Sequence, residues 1–128
     1  MSRFLAATMF AFVGLTMTTA CGGGGGGGSD ANAEAVAEAN KVWNERCVTC
    51  HGNDGSGNGP GAAALAVKPR SFKDPTWQAS VDDARIKKVI VEGGKSVGLN
   101  EAMAPNPDLQ GKDAVLSELV TKIRKQVQ

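Results

Sequence analysis

The chain has 128 residues, of which 41% are hydrophobic and 5% aromatic, and its formal net charge at pH 7 is +1. With 14 basic and 13 acidic side chains, it has no excess of positive charge, which argues against a nucleic-acid-binding protein. About a hundred residues remain beyond an N-terminal targeting segment, a small number for a self-sufficient apolar core. We therefore expect one domain, to which a bound group contributes part of the interior.

Residues 1–20 have the features of a cleaved bacterial export signal. Arg3 gives a short positive start, and an apolar run from Phe4 to Met17 is interrupted by threonines. Small residues, Thr18 to Ala20, complete the segment. The apolar run is short for a membrane span, so the sequence predicts export to the periplasmic side of a bacterial membrane.

Cys21 follows these small residues, as in bacterial lipoprotein signals, where the cysteine becomes the lipidated first residue of the mature chain. Seven glycines, Gly22 to Gly28, come next, and such a run behaves as a flexible coil. For residues 21–31 we predict a lipidated Cys21 and a flexible tether to the membrane. The alternative is ordinary signal cleavage, which leaves a free cysteine and a low-complexity tail.

An amphipathic helix is predicted from Asn32 to Arg46. Alanine and glutamate dominate this stretch, and neither glycine nor proline interrupts it. Its apolar face consists of Val36, Ala39, Val42, Trp43 and Cys47. We expect Trp43 to pack in the core, and we expect the helix to present Cys47 from its apolar side.

The five residues Cys47-Val48-Thr49-Cys50-His51 carry the chemistry of the chain. Each thiol can add across one vinyl group of a porphyrin, and the next imidazole can then reach the iron. A zinc site would need a fourth ligand, a redox dithiol normally sits at a strand-to-helix junction, and a disulfide between such close neighbours would stabilise little. The motif therefore predicts haem attachment through Cys47 and Cys50, with His51 as an iron ligand.

A glycine-rich stretch at residues 52–61 follows the motif, and no strand precedes it. Its spacing fits no phosphate-binding loop, so we expect it to fold round the His51 side of the haem. Residues 62–67 are predicted to form one helical turn. Further on, Phe72 and Trp77 are candidates for lining the macrocycle, and Arg70 is a candidate partner for a haem propionate or a solvated surface residue.

A second helix is predicted from Ser80, through a capping box that ends at Asp83, to Glu92, and two glycines end it. The irregular loop beyond it carries Met103, which is the only methionine outside residues 1–20. Prolines 105 and 107 would stiffen this loop. Because a His/Met pair is a recurring haem ligation, we expect Met103 to be the second axial ligand, with Lys95 as the alternative.

The last predicted helix runs from Lys112 to Val127. We expect it to cross the first helix and close the domain. Its apolar stripe consists of Val115, Leu116, Leu119, Val120, Ile123 and Val127.

Together these stretches resemble the class I monohaem c-type cytochromes of bacteria over residues 32–128. The resemblance rests on CVTCHGNDGSGNGPG, IKKVIVEGGK, AMAP and LVTKIR, in that order. It implies an all-α, cytochrome c-like fold of three main helices, with Gly/Pro-rich loops wrapped round one covalently attached haem c. In this chain Ala104 separates Met103 from Pro105, and Lys122 stands where many relatives carry an aromatic residue.

By this resemblance the protein is an electron carrier rather than an enzyme. It would pass single electrons between membrane or periplasmic redox partners, with no small-molecule substrate. Three alternatives remain at this stage. They are a haem sensor with a displaceable sixth ligand, a tethered haem subunit of a larger oxidoreductase, and a dithiol protein without haem.

Overall fold

The computed structural model describes residues 27–127, which form helices and loops with no strand in that range. Three helices are long, at Gly27–Val42, Asp83–Ser96 and Asp113–Arg124, so the predicted all-α fold with three main helices is confirmed. The predicted signal (1–20) and the lipidated Cys21 lie outside the described residues. No helix within the described range is long and apolar enough to cross a membrane. The helical elements are α1 (Gly27–Val42), a π-helical turn (Trp43–Cys47), α2 (Val48–His51), a 3₁₀ turn (Pro60–Ala64), α3 (Pro75–Ser80), α4 (Asp83–Ser96), a 3₁₀ turn (Pro107–Leu109) and α5 (Asp113–Arg124).

The N-terminal helical segment is longer than predicted at both ends. It begins at Gly27 rather than Asn32, so residues 27–31, which we assigned to the tether, are helical. Asp30 lies in the first turn, where the positive end of the helix dipole stabilises a carboxylate. At the other end the helical backbone continues through the π-helical turn and α2 as far as His51. Neither glycine nor proline occurs between Ser29 and His51, so nothing in the sequence stops the helix earlier.

The core lies between α1, α4 and α5. Helices α1 and α5 share the most extensive contact, which confirms the predicted crossing of the terminal helices. On α1 the buried face is rotated from the predicted one, because Ala35 is buried whereas Val36 is 36% exposed. The buried apolar residues of this core are Ala35, Ala39, Val42, Trp43, Phe72, Ile86, Ile90, Leu109, Val115, Leu116, Leu119, Val120 and Ile123.

Helix α5 buries the predicted stripe except for Val127, which lies beyond the end of the helix and is 45% exposed. Its last residue, Arg124, joins three elements. The guanidinium donates to the main-chain oxygens of Gln78 and Val81, each at 2.7 Å, and to the Asp83 carboxylate at 2.7 Å. Arg124 therefore fixes α3 and the start of α4 against the end of α5.

The start of α4 differs from the predicted capping box. Asp82 is the N-cap, and its carboxylate accepts a hydrogen bond of 2.7 Å from the amide of Arg85. Ser80 instead ends α3, a helix that we did not predict. The pair Asp74-Pro75 was a usable signal for it, because Asp74 caps the helix and proline is favoured at the first helical position.

The other loop predictions need only small corrections. The single turn expected at 62–67 lies at Pro60–Ala64 and is a 3₁₀ turn. Helix α4 is interrupted at Gly93 (φ 79°, ψ 170°), where we predicted the helix to end. A short turn continues from Gly94 to Ser96 before the Met103 loop begins.

Candidate functional site

Both cysteines of the motif lie on the last turns of the N-terminal helical segment. Cys47 ends the π-helical turn, whereas Cys50 and His51 belong to α2. The two thiols are free and half-buried. π-Helical turns inside longer helices occur frequently at functional sites. The three chemically active side chains of the motif are thus presented from one rigid helix end.

The His51 ring is held by a hydrogen bond and by stacking. Its Nδ1 lies 3.3 Å from the main-chain oxygen of Arg70, and its ring stacks on Phe72 with centroids 4.5 Å apart and planes 15° apart. Because a carbonyl oxygen only accepts, Nδ1 must carry the hydrogen of this bond. The lone pair is then on Nε2, the atom free to bind iron.

The pKa shifts of the His51 imidazole and the Cys47 thiol indicate which chemistry the motif can perform. Burial lowers the pKa of His51, although its bond to the Arg70 carbonyl acts in the opposite direction, so the imidazole is neutral at neutral pH. Burial raises the pKa of Cys47 to about 11. Redox-active dithiols need a lowered pKa, so Cys47 is poorly suited to thiol–disulfide exchange. The raised pKa of Cys47 argues against dithiol chemistry, and the neutral imidazole of His51 is in the form that binds a metal.

Two of the three predicted haem contacts, Arg70 and Phe72, contact His51, and Arg70 does so through its main-chain oxygen. Its carbonyl oxygen orients the imidazole, whereas its guanidinium is exposed and lies 3.7 Å from the Asp74 carboxylate. Phe72 is 6% exposed and also lies beside Trp77, with ring centroids 5.4 Å apart. Direct contact of Arg70, Phe72 and Trp77 with the haem stays a prediction.

The glycine-rich loop folds back onto the end of α2. Amides of Gly57 and Gly59 donate to the carbonyls of His51 and Cys50 at 2.8 and 3.1 Å, which satisfies acceptors that a helix end leaves open. The Gly55 carbonyl accepts from the amide of Phe72 at 2.7 Å. Gly55 has φ +66°, and a Cβ there would lie 2.8 Å from Cγ of Gln126, so a larger residue fits poorly. The loop thus supports the ring on which His51 stacks.

Met103 lies on a separate loop, docked on the C-terminal end of α4. The Gly94 amide donates to the Met103 carbonyl at 2.8 Å, and the Asn106 amide donates to the Val91 carbonyl at 3.0 Å. Gly93 allows this approach, because it has φ +79° and a Cβ there would lie 2.9 Å from the Met103 oxygen. A cavity of about 560 Å³ opens beside Met103, lined also by Glu92, Gly93, Lys95, Ser96, Glu101 and Pro105.

The donor set fits a haem better than a bare metal ion. Within residues 27–127 no group of three or more His, Cys, Asp or Glu side chains could hold a metal ion. A haem brings its own equatorial ligands and asks the protein only for axial ones. Two free thiols on one helix end, an oriented neutral imidazole and a thioether on a docked loop are the groups that such a cofactor uses.

Sequence reasoning missed several residues that position the site. Gln78 donates from its side-chain amide to the Phe72 carbonyl at 2.7 Å. Arg46 reaches the segment that follows Met103, where it contacts Asp108 at 2.8 Å. Lys122 lies over Trp43, with its Nζ 5.9 Å from the ring centroid. Partners 60 or more residues apart, like those of Arg46, leave no local pattern in the sequence.

Comparison with protein families gives one match over most of the chain. The family model described as "Cytochrome C oxidase, cbb3-type, subunit III" matches residues 33–121, a range that contains Cys47, Cys50, His51 and Met103. No curated protein matches the chain. The match therefore rests on the same stretch that builds the site.

Proposed function

The chain belongs to the family of cbb3-type cytochrome c oxidase subunit III, and on this premise we propose that it carries single electrons on a haem ligated by His51 and Met103. Cytochromes c are electron-transfer proteins rather than enzymes, and they work with redox partners. The chain holds one covalently bound haem c, for which we propose Cys47 and Cys50 as the attachment residues. The observation that carries the ligation proposal is the orientation of His51, whose Nδ1 is committed to the Arg70 carbonyl.

Each residue of the proposed site has a distinct role. When bound, the haem supplies an iron that gains and loses one electron. Thioether bonds from Cys47 and Cys50 would fix the macrocycle to one helix end. The Arg70 carbonyl keeps the His51 ring oriented and makes it a more basic ligand. A thioether from Met103 would favour the reduced iron and so raise the reduction potential.

The test is an absorption spectrum of protein matured in a haem-attaching bacterial host, oxidised and then reduced with dithionite. We expect low-spin bands and a weak sulfur-to-iron charge-transfer band that Met103→Ala removes. Leu99→Ala is the matched control, because Leu99 lies in the same loop and is 55% exposed. A high-spin reduced form that binds carbon monoxide readily would instead favour a haem sensor.

A second candidate function is a haem subunit of a larger oxidoreductase, and membership of an oxidase-subunit family favours it. In that case the chain would pass electrons to a catalytic subunit rather than diffuse between partners. Gentle solubilisation of membranes from the source cells, followed by native separation, distinguishes the two. Comigration of the haem of this chain with oxygen-reducing activity supports the subunit, whereas migration at the size of a single chain supports the free carrier.

Cytochromes of this family are typically periplasmic. We further propose that Cys21 carries a lipid, which would keep the domain near membrane-bound partners. The support comes from the sequence, in which small residues precede Cys21 and glycines follow it. Mass spectrometry of the mature N-terminus tests this. A lipid mass on Cys21, and release of a Cys21→Ala variant from membranes, are the expected results, whereas an unmodified Cys21 contradicts the proposal.

A further inference from the structure

Arg46 directly precedes the cysteine Cys47, yet its side chain contacts the segment that follows Met103. Its Nη1 lies 2.8 Å from Oδ1 of Asp108 and 3.1 Å from Oδ1 of Asn106. Both acceptors belong to the segment that leaves the Met103 loop. The hydrogen bond from Arg46 also lowers the pKa of Asp108, in keeping with an ionised pair at neutral pH. We name Arg46, Asn106 and Asp108 the Arg46 clamp.

Asn106 connects the clamp to α4. Its side-chain amide donates to the Ile90 carbonyl at 2.9 Å, and its main-chain amide donates to the Val91 carbonyl at 3.0 Å. Because Arg46 occupies the Asn106 Oδ1, the amide nitrogen is turned towards Ile90. Asn106 is thus held from two helices, the one that carries Cys47 and the one that precedes Met103.

The position of Asn106 constrains Met103 through a short stretch of chain. Only Ala104 and Pro105 separate the two residues, and proline fixes its own φ angle and restricts the residue before it. On the other side, Met103 is held by main-chain bonds such as that from the Gly94 amide to its carbonyl at 2.8 Å. The clamp is therefore the side-chain contact that ties the exit of the Met103 loop to the helix bearing Cys47.

We propose that Arg46 is a positioning residue that keeps the Met103 loop closed, and that it thereby sets how often Met103 leaves the iron. This inference rests on the proposed ligation by Met103. Arg46 does not touch the thioether. It acts through Asn106 and Asp108, so its loss increases the population of the open loop without removing a ligand. An external ligand can bind only to that open population, and its apparent affinity therefore reports the clamp.

The experiment titrates the oxidised holoprotein with imidazole, at a pH where imidazole is neutral, and follows the loss of the sulfur-to-iron charge-transfer band. A neutral probe avoids a direct effect of the charge that Arg46→Gln removes. Because the pair is about half-exposed, with side-chain exposures of 43% and 50%, we expect each of Arg46→Gln and Asp108→Asn to tighten imidazole binding by about fivefold. The double variant should bind no more tightly than either single one, and Arg46→Lys should recover part of the original behaviour.

Glu38→Gln is the matched control. Glu38 lies on α1, and its carboxylate pairs with Lys112 at 2.6 Å, so the variant breaks a comparable ion pair to the same helical segment without touching the Met103 loop. Unchanged imidazole affinity in this variant, beside tighter binding in Arg46→Gln, supports the clamp.

Two other results would overturn the clamp while leaving the ligation intact. One is unchanged affinity in Arg46→Gln, and the other is equal tightening in Glu38→Gln, which would indicate general loosening. Absence of the charge-transfer band from the unmutated protein is a different failure. It would refute the Met103 ligation itself, and the role of Arg46 would fall with it.

Discussion

The His51 side and the Met103 side of the site are constrained to very different degrees. His51 ends a helix, donates to the Arg70 carbonyl and stacks on Phe72, a ring that is 6% exposed within the core. Met103 sits on an irregular loop that depends on main-chain bonds to α4 and on the half-exposed Arg46 clamp. Under the proposed ligation, His51 would be the permanent ligand and Met103 the one that can leave. In such a carrier the His51 side would stay fixed while the reduction potential is tuned from the Met103 side.

The largest effect should come from removing the two ligands in turn. We expect His51→Ala to abolish a folded, low-spin holoprotein, because it removes the ligand around which α2, the glycine-rich loop and Phe72 are arranged. Met103→Ala should keep the covalent haem and lose only the charge-transfer band. Haem yield after purification and the absorption spectrum measure both. Equal losses in the two variants would contradict the asymmetry.

Truncation of Phe72 should remove the packing that constrains His51 more strongly than Met103. Phe72→Ala removes a buried ring that contacts His51, Trp43 and Trp77, so we expect the free energy of unfolding to fall by about 3–5 kcal/mol. Urea titration of the holoprotein, followed by circular dichroism, measures this. Val67→Ala is a control with little expected effect, because Val67 is 58% exposed. A loss below that of ordinary surface variants would show that Phe72 does not support the site.

A substitution at Arg124 tests the contacts that hold Phe72 through Gln78. Arg124→Gln should lower the free energy of unfolding by about 2 kcal/mol, because it removes charge-assisted bonds to the Gln78 and Val81 carbonyls. Asp83→Asn should cost less, since it weakens the exposed ion pair of Arg124 and leaves the bonds from Arg124 to the two carbonyls in place. Urea titration measures the loss of free energy of unfolding in both variants. An equal loss would show that Arg124 stabilises the fold through its ion pair with Asp83 rather than through the carbonyls.

Gly93 offers a matched test of the Met103 side. Gly93→Ala should cost about 1–2 kcal/mol in backbone strain, because Gly93 has φ 79° and ψ 170°, a region that is nearly restricted to glycine. It should also displace the loop, because a Cβ would meet the Met103 oxygen and the Pro105 nitrogen at 2.9 Å. Gly111 also has a positive φ, of +80°, and nothing lies within 4 Å of the position of its Cβ, so Gly111→Ala is the control. We expect both variants to be destabilised in urea, but only Gly93→Ala to weaken the charge-transfer band. Weakening in both would refute a specific contact at Gly93.

Low pH should lower the free energy of unfolding slightly, through one carboxylate on the His51 side and one on the Met103 side. This is the smallest effect that we predict. Hydrogen bonds from Lys73 and from Arg46 lower the pKa values of Asp54 and Asp108, respectively. A carboxyl whose folded pKa is depressed contributes stability above its unfolded pKa, near 4, and that contribution is lost as the pH falls further. Asp54→Asn and Asp108→Asn should each reduce the difference between urea midpoints at pH 7 and pH 3. An unchanged difference would show that these exposed pairs are energetically neutral.

The sequence alone determined the features that depend on residues close together along the chain. The spacing of Cys47, Cys50 and His51 predicts haem attachment, and the family match supports the covalent haem c. The 3.6-residue pattern of α5 predicted its buried stripe, since helix periodicity is local. On α1 the same reasoning placed Val36 inward rather than Ala35, because small and branched apolar residues alternate there and only the partner helix selects the face.

Only the tertiary structure decided how the proposed ligands are positioned. The Arg70 carbonyl on His51, the Phe72 ring beside it and the Arg46 clamp on the Met103 loop join residues 19 to 62 positions apart. No periodicity or local motif encodes such pairs, because they form when packing brings separate elements together. Arg70 shows this best. Its residue type suggested a charged contact with the haem, which stays a prediction. Folding in addition places its main-chain oxygen, a group that every residue has, on the His51 ring.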